Sequence, residues 1–234
     1  MSMRVFTTSV LCLVCTLWSA QSYAEERPVV VELFTSQGCP SCPPLDDYFL
    51  KLAEKPNVIA IALHVDYWDY IGWKDSFADP AFTKRQRNYA NAQKESLIYT
   101  PQLMVNGAEH AIGTRHKDLS DLIQKYAAKD VVMRLSTRRS GTSLVVTLSD
   151  SKKSRGYDIH LVSVSPNNKV EILSGENSGK TLRYANVVTQ WRSLGVWNGQ
   201  GTAIFHTNAL SHKKNAILVQ VKGHGEIVAA SWVE

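Results

Sequence analysis

The chain has 234 residues, of which 44% are hydrophobic and 20% charged, and its formal net charge is +5. This length and apolar content exclude a disordered chain and predict one large domain or two small ones. Four cysteines are too few for a disulfide-stapled secreted scaffold. The positive charge is concentrated after residue 130, but basic residues there occur at most in pairs. A solvated basic face is therefore favoured over an anionic partner, and nucleic-acid binding is not indicated.

Residues 1–24 have the features of a secretory signal peptide. Arg4 gives a positive start, residues 5–18 are mostly apolar, and Ser-Tyr-Ala at 22–24 is a small-x-small cleavage site. The apolar run is shorter than the roughly 18–20 residues that span a bilayer, which disfavours the alternative of an uncleaved membrane anchor. We therefore expect a soluble periplasmic or secreted protein with no membrane span after cleavage.

Residues 25–130 alternate between strand and helix patterns. Apolar runs and turn residues predict strands at 28–34, 58–65 and 103–105, a further strand from 111, and helices at 45–53, within 75–94 and at 119–128. The order β-α-β-α-β-β-α implies two parallel strands joined by a helix, followed by an antiparallel hairpin. The Arg-Gln-Arg run at 85–87 fits a solvated helix face.

Residues 131–234 change character. Period-2 alternation between turn signals predicts short strands at 131–137, 143–149, 157–165, 170–173, 202–206, 216–221 and 227–233, with a turn at 166–168. This spacing is typical of an antiparallel sandwich. The segment 174–201 has no clear pattern and is interpreted as an irregular excursion. The chain thus divides into a signal peptide at 1–24, an α/β domain at 25–130 and a β-rich domain at 131–234.

The most informative motif is Cys-Pro-Ser-Cys at 39–42. Because Cys12 and Cys15 lie in the segment predicted to be cleaved, the motif holds the cysteines of the mature chain. A Cys-x-x-Cys between a strand and a helix is typical of a thiol–disulfide redox site. Proline is tolerated only in the first turn of a helix, so the two prolines after Cys42 predict a helix start where the dipole lowers a thiol pKa. Cys39 is the predicted attacking thiol and Cys42 the resolving thiol.

Two other interpretations of this pair stay open, a structural disulfide and half of a metal site. A disulfide between residues three apart closes a very small loop and constrains the unfolded chain little. A zinc site needs two further ligands, and none of the seven histidines is spaced to form an obvious ligand pair.

Two stretches carry a family resemblance: Val-Glu-Leu-Phe-Thr-Ser-Gln-Gly-Cys-Pro-Ser-Cys at 31–42 and Tyr-Thr-Pro-Gln-Leu-Met-Val-Asn-Gly at 99–107. Over about residues 28–128 the chain resembles the thioredoxin/glutaredoxin superfamily. Within it, the mature chain resembles a secreted bacterial family known as domain of unknown function 1223, which also has the His-Val-Asp-Tyr-Trp-Asp stretch at 64–69. The resemblance implies an α/β thioredoxin-like domain followed by a smaller antiparallel β-sandwich-like domain.

The resemblance also assigns a role to Thr100 and Pro101. In the superfamily the matching proline is cis and faces the cysteine pair, which exposes the backbone of the preceding residue. An extended substrate chain can then pair with the Thr100 backbone beside Cys39. The Thr100 hydroxyl could also donate a hydrogen bond to the Cys39 thiolate.

One departure concerns the proton acceptor of the site. Thioredoxin carries a buried acid in its first strand, and this chain has Leu33 at that position. The neighbouring Glu32 points to the opposite face of the strand. In the loop after the second strand, Asp66 or Asp69 could supply the missing acceptor or orient His64. The aromatic residues of that loop fit either a substrate-binding wall or a core.

The favoured function is a periplasmic or secreted thiol–disulfide oxidoreductase that needs no cofactor. Its partners would be protein thiols or disulfides and a redox partner protein. The direction of transfer and the oligomeric state are open. Two alternatives remain: a copper(I)-handling protein in which the reduced pair binds the ion together with His64, and a non-enzymatic binding module with an inert disulfide.

Overall fold

The computed structural model describes residues 27–112, 116–149, 151, 155–209 and 213–233. The predicted signal peptide and its cleavage site lie outside these residues. None of the helices in these ranges has both the length and the apolar character required to cross a membrane.

The described chain is mostly β. Its first half contains strands β1 (Val29–Thr35), β2 (Val58–His64), β3 (Gln102–Val105) and β4 (Glu109–Ile112), and helices α1 (Pro43–Leu52), α2 (Pro80–Gln93) and α3 (His116–Ala127). Its second half contains strands β5 (Arg134–Ser140), β6 (Ser143–Ser149), β7 (Tyr157–Glu171), β8 (Thr181–Trp197), β9 (Ala203–Asn208), β10 (Lys214–Val221) and β11 (Ile227–Val233).

Strands from both halves share one mixed sheet of eight strands, in the order β11-β10-β7-β8-β2-β1-β3-β4. Strands β5, β6 and β9 form a separate sheet of three strands, in the order β5-β6-β9. The expected fold class, an α/β thioredoxin-like domain followed by a smaller antiparallel β-sandwich-like domain, is therefore wrong. The order of elements predicted for the first half is present, but its strands are one part of a larger, mostly β architecture.

Strand β8 is the main reason why the observed fold differs from the expected one. It occupies much of the segment that was interpreted as irregular, and it pairs antiparallel with β7 and parallel with β2, where Ala62 lies opposite Val187. Strand β7 also continues through the turn predicted at 166–168. All seven residues of β2 are buried, as expected for a strand inside a sheet that is covered on both faces. The domain division at residue 130 stays a prediction from the sequence.

The two faces of β1 belong to different clusters, because successive side chains of a strand point to opposite sides. Val29, Val31 and Leu33 pack with α1 and α3, whereas Val30 and Phe34 pack with α2, β7 and β10. A third cluster joins β6 to β7, β10 and β11. The helix that follows the cysteines thus lies on the Leu33 face of the sheet.

A buried ion pair lies on the opposite face. Glu32 accepts hydrogen bonds from Arg85 Nε at 2.6 Å and Nη2 at 3.2 Å, and from the Tyr89 hydroxyl. Arg85 also donates to Gln220 Oε1 at 3.2 Å, and its guanidinium lies 3.9 Å from the ring centre of Trp191. The interpretation of the Arg-Gln-Arg run as a solvated face is wrong for Arg85 and Gln86, which are both buried. Arg85 joins α2 to β1, β8 and β10.

Candidate functional site

The Cys39–Cys42 pair forms a disulfide at the start of α1, with the two Cα atoms 5.4 Å apart. Cys42 is the N-cap residue of the helix, and a proline follows it in the first turn. The turn between β1 and the helix is held by hydrogen bonds from Cys39 N to Ser36 O and from Gly38 N to Ser36 Oγ. The predicted helix start just after the pair is confirmed. The prolines at 43 and 44 carry no N–H group, and the Leu45 and Asp46 amides donate to the Cys42 carbonyl oxygen. It is therefore the helix dipole at this end that favours a thiolate.

Both cysteines are fully buried, with 0% of each residue exposed. The exposed part of the motif consists of Pro40 and Ser41. The Ser41 hydroxyl lies 3.5 Å from Cys39 Sγ and 3.5 Å from the Thr100 carbonyl oxygen. Both sulfur atoms are therefore covered by neighbouring residues. A thiol can reach them only if some of these residues move.

The Thr100–Pro101 peptide bond is cis, which confirms the prediction made for it. The Ser41 contact brings Thr100 to the cysteine turn, as the sequence interpretation expected. The Thr100 hydroxyl accepts a hydrogen bond from Trp68 Nε1 at 2.6 Å. On the other side, Gln86 Nε2 donates to the Tyr99 carbonyl oxygen at 2.7 Å. The loop before β3 is thus fixed by two side chains from other parts of the fold.

A buried carboxyl group, missed in the sequence, lies on the cysteine helix. Asp46 follows Cys42 by four residues, and residues at this spacing share one face of a helix. It is 3% exposed; Oδ1 accepts a hydrogen bond from Thr35 Oγ1 at 2.8 Å, while Oδ2 has no hydrogen-bond partner. Burial raises the pKa of Asp46 well above its usual value, although the Thr35 hydrogen bond opposes this. A signal was available, because Asp46 lies one turn after the cysteine on the apolar side of α1.

This raised pKa predicts a pH dependence of stability. Between the ordinary carboxyl pKa and the raised one, the folded protein keeps a proton that the unfolded chain has lost, so stability falls as pH rises. Asp46→Asn removes the ionisation. We expect the variant's advantage over wild type to grow by at most about 1.4 kcal/mol per pH unit in that window, and to vanish at lower pH. Urea unfolding of both proteins across acidic and neutral pH measures this; parallel curves would contradict the assignment.

His64 lies in a second buried polar cluster next to the cysteine turn. Its Nδ1 is 2.7 Å from Asp75 Oδ2, and the same oxygen accepts a hydrogen bond from Gln37 N at 2.8 Å. His64 Nε2 has no hydrogen-bond partner, and its ring packs against Phe77 and Tyr184. Asp75 thus links His64 to the backbone of the turn that carries Cys39.

The two acids proposed from the sequence are placed differently. Asp66 accepts a hydrogen bond from the Thr83 hydroxyl on α2. Asp69 Oδ1 accepts one from Asp75 N at 3.1 Å. Asp75, rather than either of them, contacts His64. The aromatic residues of this loop serve different purposes, since Trp68 packs on the core and Tyr70 is 82% exposed.

The second half of the chain also reaches the cysteine turn. Asn177, in the loop between β7 and β8, is 0% exposed. Its Nδ2 donates to the carbonyl oxygens of Gln37 and Cys39, both at 2.9 Å. Lys180 Nζ donates to Asn177 Oδ1 at 2.8 Å, which fixes the orientation of the amide. The sequence offered no signal for Asn177, because its partners are far away along the chain.

Within the described ranges, no group of three or more His, Cys, Asp or Glu side chains is arranged to hold a metal ion. The geometry around Cys39 combines a disulfide, a helix start, a buried carboxyl group and the half-buried loop that contains Thr100. These are groups that can exchange sulfur bonds and transfer protons.

A family model described as a protein of unknown function, DUF1223, matches residues 30–222. The chain belongs to the DUF1223 family. This match confirms the family resemblance that was inferred from the sequence motifs.

This DUF1223 chain is also similar to solved structures. A crystal structure of a protein from Agrobacterium tumefaciens is 28% identical, with a TM-score of 0.76, and the match covers 90% of this chain and 96% of that one. A hypothetical protein from Pyrococcus horikoshii OT3 is 13% identical over 47% of this chain and 98% of that one, with a TM-score of 0.24, too low to inform the fold. No curated protein matches the chain. The Agrobacterium protein thus shares the overall fold of this DUF1223 member.

Proposed function

We propose that the protein is a thiol–disulfide oxidoreductase of the periplasm or the extracellular space. The observation that carries this proposal is the Cys39–Cys42 disulfide at the N-terminus of α1, next to the Thr100 backbone. The signal-peptide pattern at 1–24 supports the location, since disulfides persist in oxidising compartments. The proposed likeness to the thioredoxin/glutaredoxin superfamily is limited to this site chemistry and does not extend to the fold.

The exchange proceeds in two balanced steps. In the reducing direction, the Cys39 thiolate attacks a substrate disulfide, forms a mixed disulfide and releases one substrate thiolate. The Cys42 thiolate then attacks the Cys39 sulfur, which re-forms the Cys39–Cys42 disulfide and releases the second substrate thiolate. Two electrons pass from the protein to the substrate, so no cofactor is required. The oxidising direction is the reverse, and a redox partner protein of suitable potential would restore the starting state.

The buried carboxyl group of Asp46 supplies the proton acceptor that the second step needs. Cys42 must lose its proton before it attacks, and its side chain is buried. Burial raises the pKa of Asp46, so in its ionised form this carboxylate is a stronger base than an ordinary one. Asp46 is therefore the proposed proton acceptor for Cys42, in the role that the sequence interpretation left open for Asp66 or Asp69.

The test is to trap the mixed disulfide. In Cys42→Ser, the second step is blocked, so Cys39 should hold covalent adducts with substrate proteins in the native host and with a model disulfide peptide in vitro. Non-reducing electrophoresis and mass spectrometry detect them. We expect adducts that disappear on reduction.

Cys39→Ser is the matched control, because it keeps one cysteine of the pair but removes the attacking thiol. It should form no more than a small fraction of these adducts. Equal trapping by both variants, or a Cys39 in Cys42→Ser no more reactive than a free cysteine, would contradict the proposal.

A further inference from the structure

The loop between β7 and β8, residues 172–180, is a folded unit. Hydrogen bonds from Ile172 N to Lys180 O at 2.9 Å and from Gly179 N to Ile172 O at 2.8 Å close its two ends. Within it, Lys180 N donates to the Asn177 carbonyl oxygen at 3.1 Å. We call this segment the 172–180 loop. Its two ends are thus tied together where β7 ends and β8 begins.

This loop touches the cysteine turn through few groups. Asn177 inserts between the backbone carbonyls of Gln37 and Cys39, and it uses both of its amide hydrogens there. A side chain at Gly175 would lie 3.1 Å from Trp73 Cβ, so glycine permits the close approach on that side. The Ser174 hydroxyl adds a hydrogen bond to the Gly72 carbonyl oxygen at 2.6 Å.

Ile172, at the base of the loop, is 1% exposed and packs in an apolar cluster with Leu182, Tyr184 and Val187 of β8. Most of the loop beyond Ile172 faces solvent. Leu173 is 77% exposed, and the other residues from 174 to 180, apart from Gly175 and Asn177, are exposed as well. Segments with few buried apolar contacts open locally at low free-energy cost, well below that of global unfolding. The contact of residues 173–179 with the cysteine turn therefore depends largely on the two hydrogen bonds of Asn177.

We propose that the 172–180 loop is a gate over the Cys39–Cys42 disulfide and that Asn177 is its latch. In the closed position, the loop holds the carbonyls on both sides of Gly38 and keeps the buried disulfide from exchanging. Opening of the gate releases the turn and lets a thiol reach the sulfur of Cys39. The claim that this gate controls catalysis rests on the proposed function. It also gives the second half of the chain a positioning role at the site.

The gate can be tested without any enzymatic activity, by reduction of the disulfide with dithiothreitol. This dithiol donates two electrons to the Cys39–Cys42 bond and becomes a cyclic disulfide itself. Samples are quenched at intervals, and the free thiols are counted by alkylation and mass spectrometry. If opening limits access, the wild-type rate levels off at high dithiothreitol concentration. Asn177→Ala lacks both donors, so we expect reduction about tenfold faster at the same concentration.

Ser178→Ala is the matched control, because Ser178 is exposed in the same loop and donates only to the Leu173 carbonyl oxygen. Its rate should equal that of wild type. All proteins should react alike in denaturant, where no gate exists. Hydrogen exchange should accelerate in the 172–180 loop and at residues 37–39 of Asn177→Ala, with the midpoint of global unfolding little changed.

If Asn177→Ala fails to fold, Asn177→Asp serves as the second variant, since a carboxylate cannot donate to the two carbonyls. Equal reduction rates in wild type and the latch variant, or an equal acceleration by Ser178→Ala, would overturn the gate. These outcomes are separate from those of mixed-disulfide trapping. A latch effect without trapping would leave a gate over a non-catalytic disulfide, and trapping without a latch effect would leave an ungated oxidoreductase.

Discussion

Glu32→Ala is expected to lower the free energy of unfolding by about 3–5 kcal/mol, because it leaves the buried Arg85 without its counter-charge. The Glu32 side chain is 0% exposed and that of Arg85 8% exposed. Burial lowers the pKa of Arg85, but the charge and hydrogen bonds of Glu32, together with Tyr89, outweigh this, and the net change of the pKa is upward. The guanidinium therefore stays charged, and the variant must bury that charge unpaired. Urea unfolding followed by circular dichroism measures the loss.

Two comparisons separate the ion pair from a general effect of mutation. Lys117→Ala breaks an ion pair with Asp121 on the surface of α3, where both side chains are largely exposed, and it should leave the unfolding midpoint unchanged. The double variant Glu32→Met with Arg85→Met removes both charges, and it should be more stable than Glu32→Ala. A Glu32→Ala protein as stable as the Lys117→Ala protein would show that Arg85 is not held by Glu32.

Asp46→Asn should slow the second step of exchange by about 10²-fold or more at neutral pH, in the range typical of a lost general base. The first step, attack by Cys39, should be little affected, so mixed disulfide should accumulate as it does in Cys42→Ser. At pH above the ordinary thiol pKa of about 8.5, Cys42 ionises without help and the difference should shrink. Rapid-quench single-turnover kinetics with a model disulfide peptide resolve the two steps.

Asp47→Asn is the matched control, because Asp47 is adjacent in the chain but exposed on the outer side of α1. Its resolution rate should be that of wild type. If Asp46→Asn resolves the mixed disulfide at the wild-type rate at every pH, another group takes the proton of Cys42.

Local signals in the sequence predicted much of the site. The position of Cys42 at a helix start followed from the prolines, whose ring permits only the first turn of a helix. The cis bond before Pro101 followed from a family resemblance. Asp46 was within reach of the same reasoning, since its distance from Cys42 is one helical turn. Asn177 was not, because its partners at the cysteine turn are set by the fold and not by nearby sequence.

The fold could be predicted less well from the sequence than the site, for the same reason. Strand β2 is a continuous apolar run, which predicts a central strand but does not say which strands lie on its two sides. Strand β8 mixes polar residues such as Gln190 and Arg192 with buried ones such as Val187, so its sequence has neither strand nor helix periodicity. Arg85 appeared solvated because its partner Glu32 lies on a different element. Each failure involves a contact between distant parts of the chain.

The pairing of β2 with β8 has a consequence for the order of folding during synthesis. Ala62 and Val187 lie far apart in the sequence, and long-range parallel pairing is slow to form. Until β8 has been synthesised, β2 can pair with β1 only, and its other edge stays open. An apolar strand with an open edge is prone to pair with other chains. The nascent chain therefore has to be kept from association until β8 has emerged, whichever compartment it folds in.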